Sequence, residues 1–253
     1  MKTYLESSGV LYNLYGLDYN NSAGNLMKWT GILATGDKLY IKAPSSRFGH
    51  LNYECEAECT AGELASLLGM CNVVQYKLDK LHMDNKVYKV CVSRDFVGTG
   101  VYTSFNSLIP NAAAYSGLDK YNLVISNLPS LRLQLDNILL FDSIILNSDR
   151  HLRNLGVLNG NIIPLFDNGN SLFYDKTVDY IAIALRTELD YQPCKPFYNT
   201  FEEQLSLIAG NSLRPADKIQ VYRIVNRYFK GRRAKLLNKL LIMRLERFGL
   251  LWK

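Results

Sequence analysis

Residues 147–169, with the sequence NSDRHLRNLGVLNGNIIPLFDNG, concentrate side chains that could do chemistry. Asn154 and Asp167 carry an amide oxygen and a carboxylate, and Mg²⁺ prefers such oxygen ligands together with the phosphates of a substrate. Asp149 lies five residues before Asn154 and could accept a proton from an incoming hydroxyl. Positive charge around the phosphates is expected from Arg150, His151 and Arg153. The combination predicts a metal-assisted reaction on a phosphate-bearing substrate.

A β-hairpin must bring the two candidate metal ligands together. We predict a first strand at 155–158, a turn at the Asn-Gly pair 159–160 and a return strand at 161–166, because Asn-Gly is the strongest two-residue hairpin signal. In that register Asn154 and Asp167 lie diagonally across the hairpin, about 7–8 Å apart between backbones. At that spacing their side chains can converge on one cation.

The elements around this segment change in character near residue 95. Short β-rich runs precede it and helical patterns follow it, which predicts an α+β chain of two lobes, 1–95 and 96–253. The predicted strands are 10–15, 27–35, 38–43, 73–78 and 86–93, with a turn at 83–85. A helix over about 53–68 ends at Gly69.

The second part is predicted to be mostly helical. Residues 131–146 are apolar and long enough for a buried helix. Two amphipathic helices follow late in the chain. Their apolar faces are formed by Ile219, Tyr222, Val225 and Phe229, and by Leu237, Leu240, Leu241, Leu245 and Phe248.

The strand at 38–43 offers a lysine for the same site. Alternation places Lys42 on the face opposite Leu39 and Ile41. If one face packs on a core, the other looks into a cleft, although a lone strand lysine is also commonly solvent-exposed. The following helix could supply a carboxylate to orient the amine. Glu58 shares a stripe with small residues that allow close approach to a sheet, while Glu54 and Glu56 remain alternatives.

These motifs together resemble the HipA-like serine/threonine kinases, over about residues 20–170. The segment at 147–169 is also similar to the D-R-H-x-x-N loop of phosphoinositide-type kinases. The resemblance implies a two-lobed protein-kinase-like fold that uses ATP and Mg²⁺. Asp149 would be the catalytic base, Asn154 and Asp167 the metal ligands, and Lys42 the phosphate-binding lysine held by Glu58. The chain lacks the A-P-E motif of eukaryotic protein kinases, so their substrate rules do not transfer.

Two further nucleotide contacts follow from the resemblance. The turn at 21–25 lies where kinases carry a glycine-rich loop, and its backbone amides could bind phosphate. Its residues Ser22, Ala23, Gly24 and Asn25 resemble the serine-containing loop of HipA-like kinases, with Lys28 downstream. Ser22 is either an autophosphorylation site or an ordinary turn residue. Residues 90–96 resemble the hinge between lobes, so Asp95 and Phe96 would lie beside the adenine, with Leu39 or Ile41 and Phe166 as apolar walls.

The amino-acid composition restricts the class of protein to which this chain could belong. Hydrophobic residues make up 48% and charged residues 21%, as in ordinary globular proteins. No apolar run is long enough for a membrane span, and the first residues carry no apolar signal core, so we expect a cytoplasmic protein. The five cysteines lack paired zinc spacing and are expected to be buried, reduced thiols.

The net charge of +6 is uneven, because residues 217–253 hold eleven Lys and Arg against two acids. This predicts a solvated helix face or, as an alternative, a surface for DNA or an acidic partner. The basic cluster consists of Arg223, Arg227, Lys230, Arg232, Arg233 and Lys235. Our leading interpretation is an ATP-dependent kinase for protein Ser or Thr hydroxyls. The alternatives are a lipid or small-metabolite kinase and a nucleotide-dependent binding module.

Overall fold

The computed structural model describes residues 3–19, 27–45, 52–109 and 111–252. The first part is one antiparallel sheet of seven strands. These are β1 (Tyr4–Ser7), β2 (Val10–Asn13), β3 (Tyr15–Tyr19), β4 (Met27–Ile32), β5 (Lys38–Ala43), β6 (Lys77–Met83) and β7 (Lys86–Arg94). The order β2-β1-β6-β7-β5-β4-β3 puts β2 and β3 at opposite edges. Only Leu14 separates them in the chain, so the sheet curls until its edges meet.

The two faces of the curled sheet have different partners. Directly paired residues share a face, so Ile41 and Val92 point together into an apolar interior. Lys42 and its pair Cys91 point the other way. There Cys91 packs in a cluster with side chains of helix α1 (Glu54–Leu67). The predicted alternation is confirmed, and it leaves Lys42 on the helix side of the sheet.

Helix α1 follows the prediction closely. It ends at Leu67, and Gly69 takes a left-handed φ of 80° that stops the helix. The small residue Gly62 allows a close approach, because a Cβ there would lie 3.1 Å from the carbonyl oxygen of Val74. A larger side chain at this position would push α1 away from the segment leading into β6.

The second part packs helices around a central one. They are α2 (Phe105–Leu108), α3 (Gly117–Asn127), α4 (Arg132–Ile145), α5 (Val178–Ala184), α6 (Phe201–Leu205), α7 (Lys218–Tyr228) and α8 (Gly231–Arg247). Helix α4 is the buried helix expected from the apolar run, with Leu135, Phe141 and Ile144 fully buried. It belongs to one apolar core that also includes residues of α1, α7 and α8.

The late helices are confirmed as elements, but one apolar face was only partly right. In α8, Leu237, Leu241 and Leu245 are fully buried as predicted. In α7, Val225 and Phe229 are buried as predicted, but Ile219 is exposed. Asp217 caps this helix, and residues 218–220 of its first turn are exposed.

The predicted Asn-Gly hairpin is present but shorter. A three-stranded sheet contains β8 (Tyr102–Ser104), β9 (Gly156–Leu158) and β10 (Asn161–Ile162). Leu158 pairs with Asn161 across the turn, as predicted. The return strand stops four residues before 166, because the chain leaves the hairpin and Leu165 forms a parallel bridge with Val73.

Another predicted strand boundary was wrong. The strand expected at 73–78 begins only at Lys77 and runs to Met83. In β6, Asp79 and Leu81 are buried on one face, while Leu78 is exposed on the other. The turn expected at 83–85 is confirmed, with Asp84 and Asn85 both at positive φ.

Two composition-based expectations can also be compared with the structure. Within the four described ranges, no helix combines the length and apolarity needed to cross a bilayer. All five cysteines are unpaired thiols, and four are buried, whereas Cys71 is exposed, contrary to expectation.

Candidate active site

Lys42 joins the sheet to two carboxylates. Its Nζ lies 2.7 Å from Glu58 Oε1 on α1 and 2.9 Å from Oδ1 of Asp167. Burial alone would lower the pKa of Lys42, but the charges of Asp167 and Glu58 outweigh it and raise that pKa well above its usual value. Lys42 is therefore a fixed cation at this junction.

The three candidate glutamates of α1 have different partners, and these distinguish their roles. Glu54 accepts hydrogen bonds from the backbone of Ser45 and from the Asn52 side chain. Glu56 pairs with Lys89 at 2.8 Å. Glu58 alone among the three contacts Lys42, and its second oxygen accepts a hydrogen bond from the backbone N–H of residue 168 at 2.8 Å. Its carboxylate thus ties the lysine to the segment that follows Asp167.

Asp167 and Asn154 lie together as predicted, although the return strand of the hairpin ends at Ile162. Asn154 Nδ2 lies 3.4 Å from Asp167 Oδ2, and Asn154 Oδ1 accepts a hydrogen bond from the backbone of His151. Asp167 has a left-handed φ of 61°, which turns its side chain out of the strand direction. Burial alone would raise the pKa of Asp167, but Lys42, Lys28 and Arg150 hold it well below its usual range. The carboxylate stays ionised at neutral pH.

This pair has the donor chemistry that a hard divalent cation needs. A permanently ionised carboxylate and an amide oxygen are oxygen ligands of the kind that Mg²⁺ takes. In the part of the chain that the structure describes, no cluster of three or more His, Cys, Asp or Glu side chains could hold a metal by itself. A cation between Asn154 and Asp167 would therefore depend on further oxygen ligands from a bound substrate.

Asp149 lies just after the C-terminal end of α4, and both of its carboxylate oxygens accept hydrogen bonds. Oδ2 accepts a hydrogen bond from Asn170 Nδ2 at 3.0 Å, and Oδ1 lies 2.7 Å from Lys195 Nζ. The side chain remains 38% exposed. Ser148 N–H donates to the carbonyl of Asn170, which places the loop carrying Asp149 beside the segment that follows Asp167. The acid is thus accessible and anchored to the same region.

The expectation that the loop surrounds a phosphate with charge is partly wrong. Arg150 is fully buried, with a two-point ion pair to Asp142 at 2.9 and 3.0 Å. Its remaining N–H groups donate to Phe166 O and Asn168 Oδ1. Burial also lowers the pKa of His151, so this ring is neutral at pH 7. Arg150 serves as an internal clamp, and neither residue supplies free positive charge.

The hinge residues lie at the end of β7 beside an aromatic cluster. The rings of Phe96 and Phe166 are 5.3 Å apart, and Tyr40 lies 6.0 Å from Phe96. Asp95 fixes the turn by accepting hydrogen bonds from the next backbone N–H groups. The predicted apolar walls Leu39 and Ile41 are wrong, because both face the interior of the curled sheet. Tyr40 lies on the same face of β5 as Lys42, beside Phe96.

The predicted phosphate loop cannot be compared with the structure. Residues Ser22, Ala23, Gly24 and Asn25 lie outside the described residues. The strand after them is described, and Lys28 pairs with Lys42 in the register of β4 and β5. Lys28 also contributes to the low pKa of Asp167, so a second lysine lies near the candidate metal ligand.

Comparisons with known proteins identify the fold. No family model and no curated protein sequence matches this chain. Among solved structures, the proinflammatory kinase CtkA of Helicobacter pylori superposes with a TM-score of 0.67 at 16% identity, covering 91% of this chain and 92% of CtkA. The chain has a protein-kinase-like fold. It combines a curled β-sheet N-lobe with a helical C-lobe.

Two other kinases superpose less well. The Golgi casein kinase matches with a TM-score of 0.43 at 10% identity, covering 92% of this chain and 71% of that one. A MAP kinase of Leishmania major gives 0.36 at 12% identity, with 91% and 61% covered.

Sequence reasoning missed several polar residues of this kinase-like fold. Asp142 lies in an apolar helix and gives no local sign that it pairs with Arg150. Asn168 and Asn170 stand in the D-N-G-N run and could have been singled out as loop-fixing amides. Lys195 had no signal, because its contact with Asp149 spans 46 residues.

The basic cluster of the C-terminal helices is largely used inside the molecule. Arg227 pairs with Glu63 of α1, and Arg232 pairs with Asp179. Arg233 is buried and donates to the carbonyls of residues 173 and 176. Lys230 donates to the end of α7. The surface thus offers fewer free charges than the sequence count indicates.

Proposed function

We propose that this chain is an ATP-dependent phosphotransferase. The observation that carries the proposal is the convergence of Lys42, Glu58, Asn154 and Asp167 at one junction in a kinase-like fold. Phosphoryl transfer needs little covalent chemistry from a protein, so positioned charges of this kind are sufficient for it.

Each residue has a role in the proposed reaction. Lys42, oriented by Glu58, binds the phosphates of ATP, with further contacts from Ser22, Ala23, Gly24 and Asn25. Asp95 and Phe96 lie at the adenine. Residues 1–95 and 96–253 would then be the two lobes around this cleft.

Asn154 and Asp167 are the residues that would hold Mg²⁺. When bound, the cation neutralises charge on the phosphate oxygens. Asp149 accepts the proton of the acceptor hydroxyl. His151, being neutral, orients the loop through its backbone bond to Asn154 rather than adding charge.

For the acceptor, we propose a protein Ser or Thr hydroxyl. The sequence resemblance to HipA-like serine/threonine kinases supports this choice, and it also favours autophosphorylation at Ser22. The unpaired thiols are compatible with a reducing, cytoplasmic location. A lipid or small-metabolite acceptor is the alternative for the same reaction.

The test is transfer of radioactive γ-phosphate from ATP with Mg²⁺ by the full chain. We expect wild type to label protein, and Asp149→Asn and Asp167→Asn to lower the rate by about 10²–10⁴-fold. Asp179→Asn, an exposed acid paired with Arg232, is the matched control and should retain activity. Full activity of either site variant contradicts the assignment.

Intact mass identifies the acceptor. An added phosphate that disappears in Ser22→Ala supports autophosphorylation at Ser22. If ADP forms only when lipid or metabolite pools are added, the protein-kinase proposal is wrong while phosphotransfer stands.

A further inference from the structure

Lys195 is held in place by a rigid loop of the C-lobe. Its neighbours Cys194 and Phe197 are buried. Gln204, only 1% exposed, donates from Nε2 to the carbonyl of Lys195 at 2.9 Å and accepts from the N–H of Phe197 at 3.2 Å. A buried amide that satisfies both backbone groups fixes the loop. The backbone of Lys195 is therefore held in a defined position.

The Lys195 ammonium contacts Asp149, the candidate base. Lys195 Nζ lies 2.7 Å from Asp149 Oδ1, and the side chains are 57% and 38% exposed. An exposed ion pair of this kind contributes little to stability, so the fold does not depend on this contact. A long, flexible stem also lets the ammonium move by a few ångströms without moving the loop.

The contact does not prevent Asp149 from accepting a proton. An ionised carboxylate has about four lone-pair sites. Asn170 and Lys195 use one each, which leaves room for an acceptor hydroxyl.

The contacts of the other nearby cations indicate a role for Lys195 beside Asp149. Arg150 on the same loop is fully engaged by Asp142. Lys42 is held between Glu58 and Asp167. Arg153 is exposed on the loop. Lys195 is the cation placed directly against the carboxylate that would receive the acceptor.

We propose that Lys195 is a catalytic residue that contacts the transferring phosphoryl group, an inference that rests on the phosphotransferase function above. The acceptor oxygen bonds to the γ-phosphorus while the bond to the β,γ-bridging oxygen breaks, and its electron pair leaves with ADP. The hydroxyl proton goes to Asp149. The Lys195 ammonium shifts from Asp149 to the phosphoryl oxygens, where negative charge must be stabilised.

The test compares three variants of the full chain. Lys195→Met removes the charge and keeps the length, and Lys195→Arg keeps the charge. Lys80→Met is the matched control, because Lys80 is 58% exposed and pairs with Glu6 at 3.0 Å, away from Asp149. The readouts are kcat and KM for ATP from ADP release, with thermal unfolding as the check on folding.

We expect Lys195→Met to lower kcat by about 10²-fold, as for loss of one transition-state donor, with KM for ATP within about twofold. Lys195→Arg should recover most of the lost rate, and Lys80→Met should match wild type. All three should unfold at the wild-type temperature, as exposed substitutions do.

Three results overturn the inference. A wild-type kcat in Lys195→Met shows that the contact is incidental, and a higher kcat shows that Lys195 blocks the base. A loss confined to KM places Lys195 in ground-state binding of ATP. If wild type itself forms no ADP under any acceptor condition, the proposed function and this inference fail together, and that outcome is distinct from the other three.

Discussion

Lys42 Nζ and Glu58 Oε1 lie 2.7 Å apart, and their contact ties strand β5 to helix α1 across 16 residues of sequence. The second Glu58 oxygen holds the backbone just after Asp167. One carboxylate thus sets the relative positions of the lysine and the candidate metal ligand. We predict that Glu58→Gln lowers kcat by about 10²-fold, since small misplacements of reacting groups have effects of that size.

Glu56→Gln is the matched control for that substitution. Glu56 lies two residues away on α1, is also buried, and pairs with Lys89 at 2.8 Å. Both substitutions weaken a buried charge-assisted contact, so we expect each to lower the free energy of unfolding by about 1–3 kcal/mol. Only Glu58→Gln should lower turnover. Equal losses of kcat in the two variants would show that α1 acts only through stability.

The clamp between Arg150 and Asp142 should dominate the stability of the loop that carries Asp149. Both side chains are fully buried, and Arg150 also donates to Phe166 O. Asp142→Asn leaves the guanidinium without its counter-charge. We expect the free energy of unfolding, measured with urea, to fall by about 3–5 kcal/mol.

An exposed ion pair provides the comparison. Asp179 pairs with Arg232 at 2.7 Å while its side chain is 74% exposed. Asp179→Asn should change the free energy of unfolding by less than about 1 kcal/mol. Similar losses of unfolding free energy in Asp142→Asn and Asp179→Asn would mean that burial does not determine how much the Arg150–Asp142 ion pair stabilises the fold.

The low pKa of Asp167 makes its contribution to stability depend on pH. Because the folded-state pKa lies below the unfolded value, the carboxylate stabilises the fold fully above about pH 3.9. That contribution is lost as pH falls through the folded-state pKa. We predict that Asp167→Asn destabilises the chain at neutral pH and that the difference from wild type shrinks in acid.

The measurement is urea unfolding of both proteins from about pH 7 to about pH 2.5. The same series on Asp179→Asn controls for general acid effects, since that carboxylate is exposed. A difference between wild type and Asp167→Asn that stays constant over this range contradicts the linkage.

Local sequence pattern was sufficient for the elements that carry the site. Strand alternation placed Lys42 on the cleft side, and the Asn-Gly pair fixed the hairpin that brings Asn154 to Asp167. Small residues on α1 favoured Glu58, with Glu54 and Glu56 as alternatives, and the contact with Lys42 distinguishes them. These are short-range rules that the final fold does not override.

The rest depends on contacts between distant parts of the chain. The burial of Arg150 follows from Asp142, which looks like a misplaced acid in an apolar helix. The position of Lys195 is set by Gln204 through a loop with no regular pattern. In strand β6, Asp79 is buried on the same face as Leu81 while Leu78 is exposed, so hydrophobic periodicity alone does not predict the buried acid. Each case is a tertiary pairing that no local window contains.

Binding of a non-hydrolysable ATP analogue, measured by calorimetry with and without Mg²⁺, tests the central claim most directly. If Asn154 and Asp167 bind one cation beside Lys42, wild type binds the ATP analogue more tightly with Mg²⁺ than without it. Asp167→Asn should lose that gain in affinity while keeping its fold. Equal affinity with and without Mg²⁺ in wild type, or an undiminished Mg²⁺ effect in Asp167→Asn, would contradict the account.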